Sequence, residues 1–159
     1  MHFKLPSLVS LSLASLGLAL PNMGMTNQTL GHAVVVNQCT RPVYVWSVAS
    51  SVSPEITVQP HENYTEAFRH DGLTGGVGLK VTTIKNGLYI SSPQTVFAYN
   101  LVDRAVWYDL SDVFGDPFHG SKVSLLPSEP AITWEDGIPP AGSQVRIQDA
   151  SKDLVLTLC

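Results

Sequence analysis

Asp109, Asp112 and Asp116 form the densest carboxylate cluster in the sequence, inside the stretch "YDLSDVFGDPF". Glycoside hydrolysis needs two carboxyls held a fixed distance apart, one of them kept protonated to serve the leaving oxygen. Asp109 with Asp112 or Asp116 offers such a pair, with Asp103 upstream and Glu135 and Asp136 further on. Spacing on a loop fixes no distance, however, and acids among Ser, Gly and Pro are commonly turn formers. The expectation is therefore a protein that is not an enzyme, with the three aspartates as the alternative catalytic set.

Other chemistries find less support. The spacing of the three aspartates lacks the alternating Asp/Asn-Gly arrangement of a calcium loop. His61-Glu62 is not followed by the second histidine of a zinc-protease helix. No metal and no cofactor is expected. There is no Gly-x-Ser-x-Gly elbow, and Ser143 lies in a Pro/Gly-rich loop. The run "GLTGGVGLK" has neither the dinucleotide nor the phosphate-loop spacing. Aromatic side chains are the remaining candidates, because Trp and Tyr stack on sugar rings as readily as they fill cores. In a strand, adjacent Trp107 and Tyr108 point to opposite faces, so one of them faces outward. Trp46 is expected in the core, and Tyr108 is the candidate for ligand binding.

These residues must be held by short, β-rich elements. Runs of Val, Ile, Thr and aromatics recur between Gly, Pro, Asn and Asp, without internal repeats. The expected strands are Ala33–Asn37, Val43–Val48, Glu55–Val58, Tyr64–Phe68, Gly78–Ile84 and Leu88–Ser91. They continue with Thr95–Asn100, Val106–Leu110, Lys122–Leu126, Ile132–Trp134, Gln144–Ile147 and Leu154–Leu158. Such spacing predicts an all-β sandwich or barrel rather than βαβ units. Asn86-Gly87 predicts a tight hairpin, since both residues tolerate positive φ. Leu101–Phe114 also carries a helical spacing in Val102, Val106, Leu110 and Val113, but is read as strand plus loop.

The first nineteen residues read as a signal peptide. A Lys in the first four residues precedes an uncharged apolar run, and Gly17-Leu18-Ala19 supplies small residues for cleavage after Ala19 or as late as Gly24. The run is short and contains Pro6, unlike a membrane span. With Lys4 removed, eight basic residues face thirteen acidic ones, a formal charge of −5. That balance argues against nucleic acid and anionic membranes as partners. After cleavage no membrane association is expected, and the product reads as a monomer. Cys39 and Cys159 are the two cysteines, and in an oxidising compartment they read as one disulfide. Asn63 and, more weakly, Asn27 head N-glycosylation sequons.

Taken together, "AVVVNQCTRPVYVWSV", "VQPHENYTE", "VWYDLSDVFGDPF" and "DLVLTLC" resemble a thaumatin-like protein. More closely, residues 31–159 resemble the small fungal yeast-phase-specific (Bys-type) antigenic thaumatin-like secreted proteins. The resemblance implies a flattened β-sandwich closed by one disulfide between first and last strands, Cys39 to Cys159. It implies a secreted, antigenic fungal protein of the cell wall or the host-facing surface, non-enzymatic and without an assigned molecular activity. Its partners would be a cell-wall polysaccharide or a host protein. Larger relatives carry an acidic cleft proposed to bind β-1,3-glucan. Here Asp109 matches the first cleft aspartate, Val96 stands at the glutamate position, and Phe114 falls at the second aspartate. The alternative function is accordingly a β-1,3-glucan-binding protein or weak glucanase built on the loop around Asp109.

Overall fold

A computed structural model describes residues 29–159. The leader and Asn27 lie outside the described residues. Eleven strands follow one another: β1 (His32–Asn37), β2 (Val43–Val48), β3 (Ile56–Val58), β4 (Asn63–Ala67), β5 (Val77–Thr82) and β6 (Gln94–Val102). They continue as β7 (Ala105–Val113), β8 (Val123–Leu126), β9 (Ile132–Trp134), β10 (Arg146–Asp149) and β11 (Leu154–Leu158). Two sheets result, one ordered β4-β1-β11-β8-β9 and the other β10-β7-β6-β5-β2-β3.

Period-two alternation builds the core between them. Ala33 and Val35 of β1 and Leu154, Leu156 and Leu158 of β11 are buried from one side. Val43, Val45, Leu79, Val81, Phe97, Tyr99, Val106, Tyr108 and Leu110 meet them from the other. Side chains of opposite parity on the same strands face outward, as the pleat requires.

β1 and β11 pair in parallel, Ala33 opposite Leu154 through Asn37 opposite Leu158. Parallel neighbours cannot be joined by a tight hairpin. Here the Cys39–Cys159 disulfide ties the two strand ends across 120 residues of sequence, as expected from the cysteine pair. Buried Asn37 prepares the turn that presents Cys39. Its amide donates to the carbonyls of Arg41 and Val58, each at 2.9 Å, and its Oδ1 accepts from the Cys39 N–H.

The β6–β7 hairpin is the spine of the larger sheet. Val102 opposes Ala105 across the two-residue turn Asp103-Arg104. Asp103 takes φ 54°, a left-handed conformation that Asp tolerates better than most residues. The Leu101–Phe114 segment is thus extended on both sides of a turn. β7 runs through Val113, three residues past the expected end at Leu110.

The expected strand Leu88–Ser91 is corrected to a 3-10 turn, Gly87–Ile90. Asn86 does adopt positive φ, but no two-residue hairpin forms, because β5 ends at Thr82 and β6 begins at Gln94. The connecting segment instead folds back over the outer side of the sheet. Trp46 alternates with the inward valines, so it emerges on that outer side, yet it is fully buried. The segment roofs it, with the Tyr89 ring perpendicular to the indole at 6.4 Å between centroids. Gly87 permits this close approach: a Cβ there would stand 2.6 Å from Thr82 Oγ1.

Candidate functional site

The larger sheet carries a trough of about 520 Å³ on its outer face. Register explains its depth. Val48, Gly78, Ala98 and Asp109 face one another across β2, β5, β6 and β7. Gly78 and Ala98 are too small to fill the face, so the floor sinks between taller neighbours. In the next row Asn100 opposes Trp107, which in turn opposes Ile147 of β10. Trp107 remains 47% exposed and forms one wall with Val145.

The opposite wall is the loop leading into β5. Its shape depends on the Asp71 carboxylate, which accepts from Ser50 Oγ at 2.6 Å and from the Thr74 N–H at 2.8 Å. The Ser50 hydroxyl, followed by the Thr74 bonds, holds the Asp71 carboxyl far below the usual carboxylate range. Thr74 also directs its hydroxyl within the loop, to Asp71 and the Gly76 carbonyl. At the rim, His70 Nδ1 lies 3.0 Å from Asn100 Oδ1.

Asp109 supplies the carboxylate of the trough. Its Oδ1 is buried and has no hydrogen-bond partner among the described residues. A buried acceptor without a donor is costly.

Asp112 goes the other way. Three residues from Asp109 on a continuous strand, it projects from the opposite, inner face. There Thr95, its cross-strand partner, donates to Oδ1 at 2.6 Å, while Oδ2 is buried without a partner. Burial pushes the Asp112 carboxyl up to about 7; the Thr95 bond opposes the shift, and the neighbouring Asp116 carboxyl adds to it. The structure therefore brings Asp112 and Asp116 together and separates Asp109 from Asp112. The Asp109–Asp112 hydrolytic pair is not formed. Glu135 and Asp136 are engaged elsewhere, with Lys122 at 3.0 Å and His119 at 3.5 Å.

The Trp107-Tyr108 pair also resolves. Tyr108 is 3% exposed, and burial raises its phenol above the usual value. Trp107 is the outward member. The alternation that marked one of them as exposed did not say which, because that depends on which face the second sheet covers. Asn63 is exposed at the start of β4, an edge strand, with the Thr65 hydroxyl 3.3 Å from its Oδ1. Among the described residues, no three His, Cys, Asp or Glu side chains converge as a metal site would require.

Two facing sheets and a bridge between the ends of β1 and β11 make the frame of a thaumatin-like protein. The chain belongs to the Bys1 family, described as Blastomyces yeast-phase-specific protein, which matches residues 20–159. An antigenic thaumatin-like protein of Arthroderma benhamiae is 35% identical over 124 residues, covering 76% of this chain and 62% of that one. The secreted thaumatin-like protein calA of Emericella nidulans is 24% identical, covering 86% of this chain and 68% of that one. This chain thus spans only about two thirds of the length of these curated relatives. Among solved structures, the protein elicitor MoHrip2 of Magnaporthe oryzae matches with a TM-score of 0.66 at 25% identity, over 81% of this chain and 98% of that one. The protein is a secreted fungal thaumatin-like protein.

Proposed function

We propose that this domain is a non-catalytic protein of the fungal wall or host-facing surface that holds an uncharged glycan, of the β-1,3-glucan class, in the outer trough. The observation that carries this reading is the exposed indole of Trp107 beside the half-buried carboxylate of Asp109, two residues on along the same face of β7, at the edge of the small-residue floor of Gly78 and Ala98. An indole face stacks on the apolar face of a pyranose, and a carboxylate accepts from its hydroxyls. One aspartate in the trough suits binding, whereas hydrolysis needs a second carboxyl about 5–9 Å away on the same side. Asp112, the nearest acid along the strand, supports binding over hydrolysis by facing the core.

Purified mature protein incubated with insoluble β-1,3-glucan tests the reading. Co-sedimentation without release of reducing sugar is expected, and Trp107→Ala should weaken it at least tenfold, about 1.4 kcal/mol. Trp107 is half exposed, so the variant should fold, which thermal denaturation would verify. Sugar release abolished by Asp109→Ala would make the protein a glucanase instead. Absence of both binding and release would remove the glycan reading.

A further inference from the structure

We propose that the glycan site continues beyond the trough to a second aromatic platform, Tyr89, and that the two platforms together read several consecutive rings of one linear chain. The proposal rests on the trough being a glycan site. Its independent ground is the layout of the outer face. Next to the row of Gly78, Ala98 and Asp109 comes a row of Trp46, Lys80, Val96 and Ser111 on β2, β5, β6 and β7. Trp46 is buried there beneath the Gly87–Ile90 turn, and the Tyr89 ring packs perpendicular to it while remaining 68% exposed. Ile90 beside it is also exposed.

Tyr89 is thus an aromatic ring seated on a rigid base and turned to solvent. Pre-orientation of this kind lowers the entropy lost when a ligand stacks on it. Its setting has a visible conformational cost, since Asn86 and Ser91 at the two ends of the turn both adopt left-handed φ, 59° and 53°. Backbone conformations of this sort persist where the surroundings hold them, often at ligand sites.

Distance decides what the two platforms can share. Trp107 and the Trp46 row are four residues apart along the strands and three strands apart across them. Strand rise and strand spacing convert this to roughly 13 Å by 14 Å, a diagonal of about 20 Å, or about four pyranose rings. The path between them crosses Ala98 and Val96, both half-buried, with Asp109 and Ser111 on one flank and Lys80 on the other. Those groups supply acceptors and donors along the way. One carboxylate and one ammonium leave the strip without net charge, which suits an uncharged chain better than a polyanion.

Calorimetric titration with linear β-1,3-glucan oligosaccharides of two to seven rings separates this proposal from the reading beneath it. Wild-type affinity should climb at least tenfold from two rings to about five and then level off. Tyr89→Ala should remove the climb while leaving the shortest binding oligomer unaffected, and Tyr89→Phe should preserve it. Trp107→Ala should weaken every length. A length-independent wild-type affinity, or a Tyr89→Ala loss equal at all lengths, would overturn the second platform while leaving the trough reading standing. Absence of binding at every length would overturn both. Unchanged melting of Tyr89→Ala would confirm that a lost climb is not a lost fold.

Discussion

Asp112 is an uncommon residue for a surface strand: an acid turned inward, hydrogen-bonded by a single hydroxyl and crowded by a second acid. Its folded-state value, near 7 against an ordinary 3.8, favours the protonated form. The folded chain therefore binds more protons than the unfolded chain between about pH 4 and pH 7, and stability falls as pH rises through that window. Solvent reaches part of the group, which reduces the effect to about 1–2 kcal/mol. Urea unfolding at pH 4 and pH 8 should show this loss in the wild type. Asp112→Asn, which carries the neutral form permanently, should flatten the profile. An equal decline in the variant would assign the pH dependence to other groups. The fine placement of this residue escaped the sequence because β7 continues past Leu110, and an acid three positions beyond Asp109 changes face only if the strand persists that far.

At the scale of elements, the segment between β5 and β6 acts as a lid over part of the outer sheet. Its apolar residues Leu88, Tyr89 and Ile90 look like a strand by composition, but they form a 3-10 turn that sets Tyr89 against Trp46 instead of joining a ladder. Gly87 is the pivot. A Cβ at that position would meet Ser92 Oγ at 2.3 Å and Thr82 Cβ at 2.9 Å. Gly87→Ala should therefore lift the lid and cost about 1–3 kcal/mol, the usual range for overpacking. The melting temperature and near-UV circular dichroism of the buried indole would report it. Unchanged values would mean that the neighbouring side chains yield without strain.

For the whole molecule, the parallel β1–β11 pair brings distant parts of the chain together, and the disulfide fixes that closure. A loop of 120 residues confines the unfolded chain by about 5 kcal/mol in the loop-entropy account. Replacing Cys39 and Cys159 together by Ser should lower the guanidinium midpoint accordingly. The strand order should survive, because Ala33, Val35, Leu154, Leu156 and Leu158 still bury the same faces. A variant as stable as the wild type would show that core packing alone restrains both ends.

Alternating apolar residues were enough to read an all-β chain and the outward projection of one residue in the Trp107-Tyr108 pair, because a strand's period of two is a local property. Two cysteines leave a single intramolecular pairing to consider. Other features belong to the tertiary structure alone. Gly78, Ala98 and Asp109 come from three strands, and only cross-strand register turns them into one floor. Trp46 is buried on the outer side because a nearby turn covers it, and Asp112 rather than Asp109 is the acid turned inward because β7 persists past Leu110 and the second sheet packs against just one of its faces. Periodicity is written along the chain; cover and register are set by what lies across it.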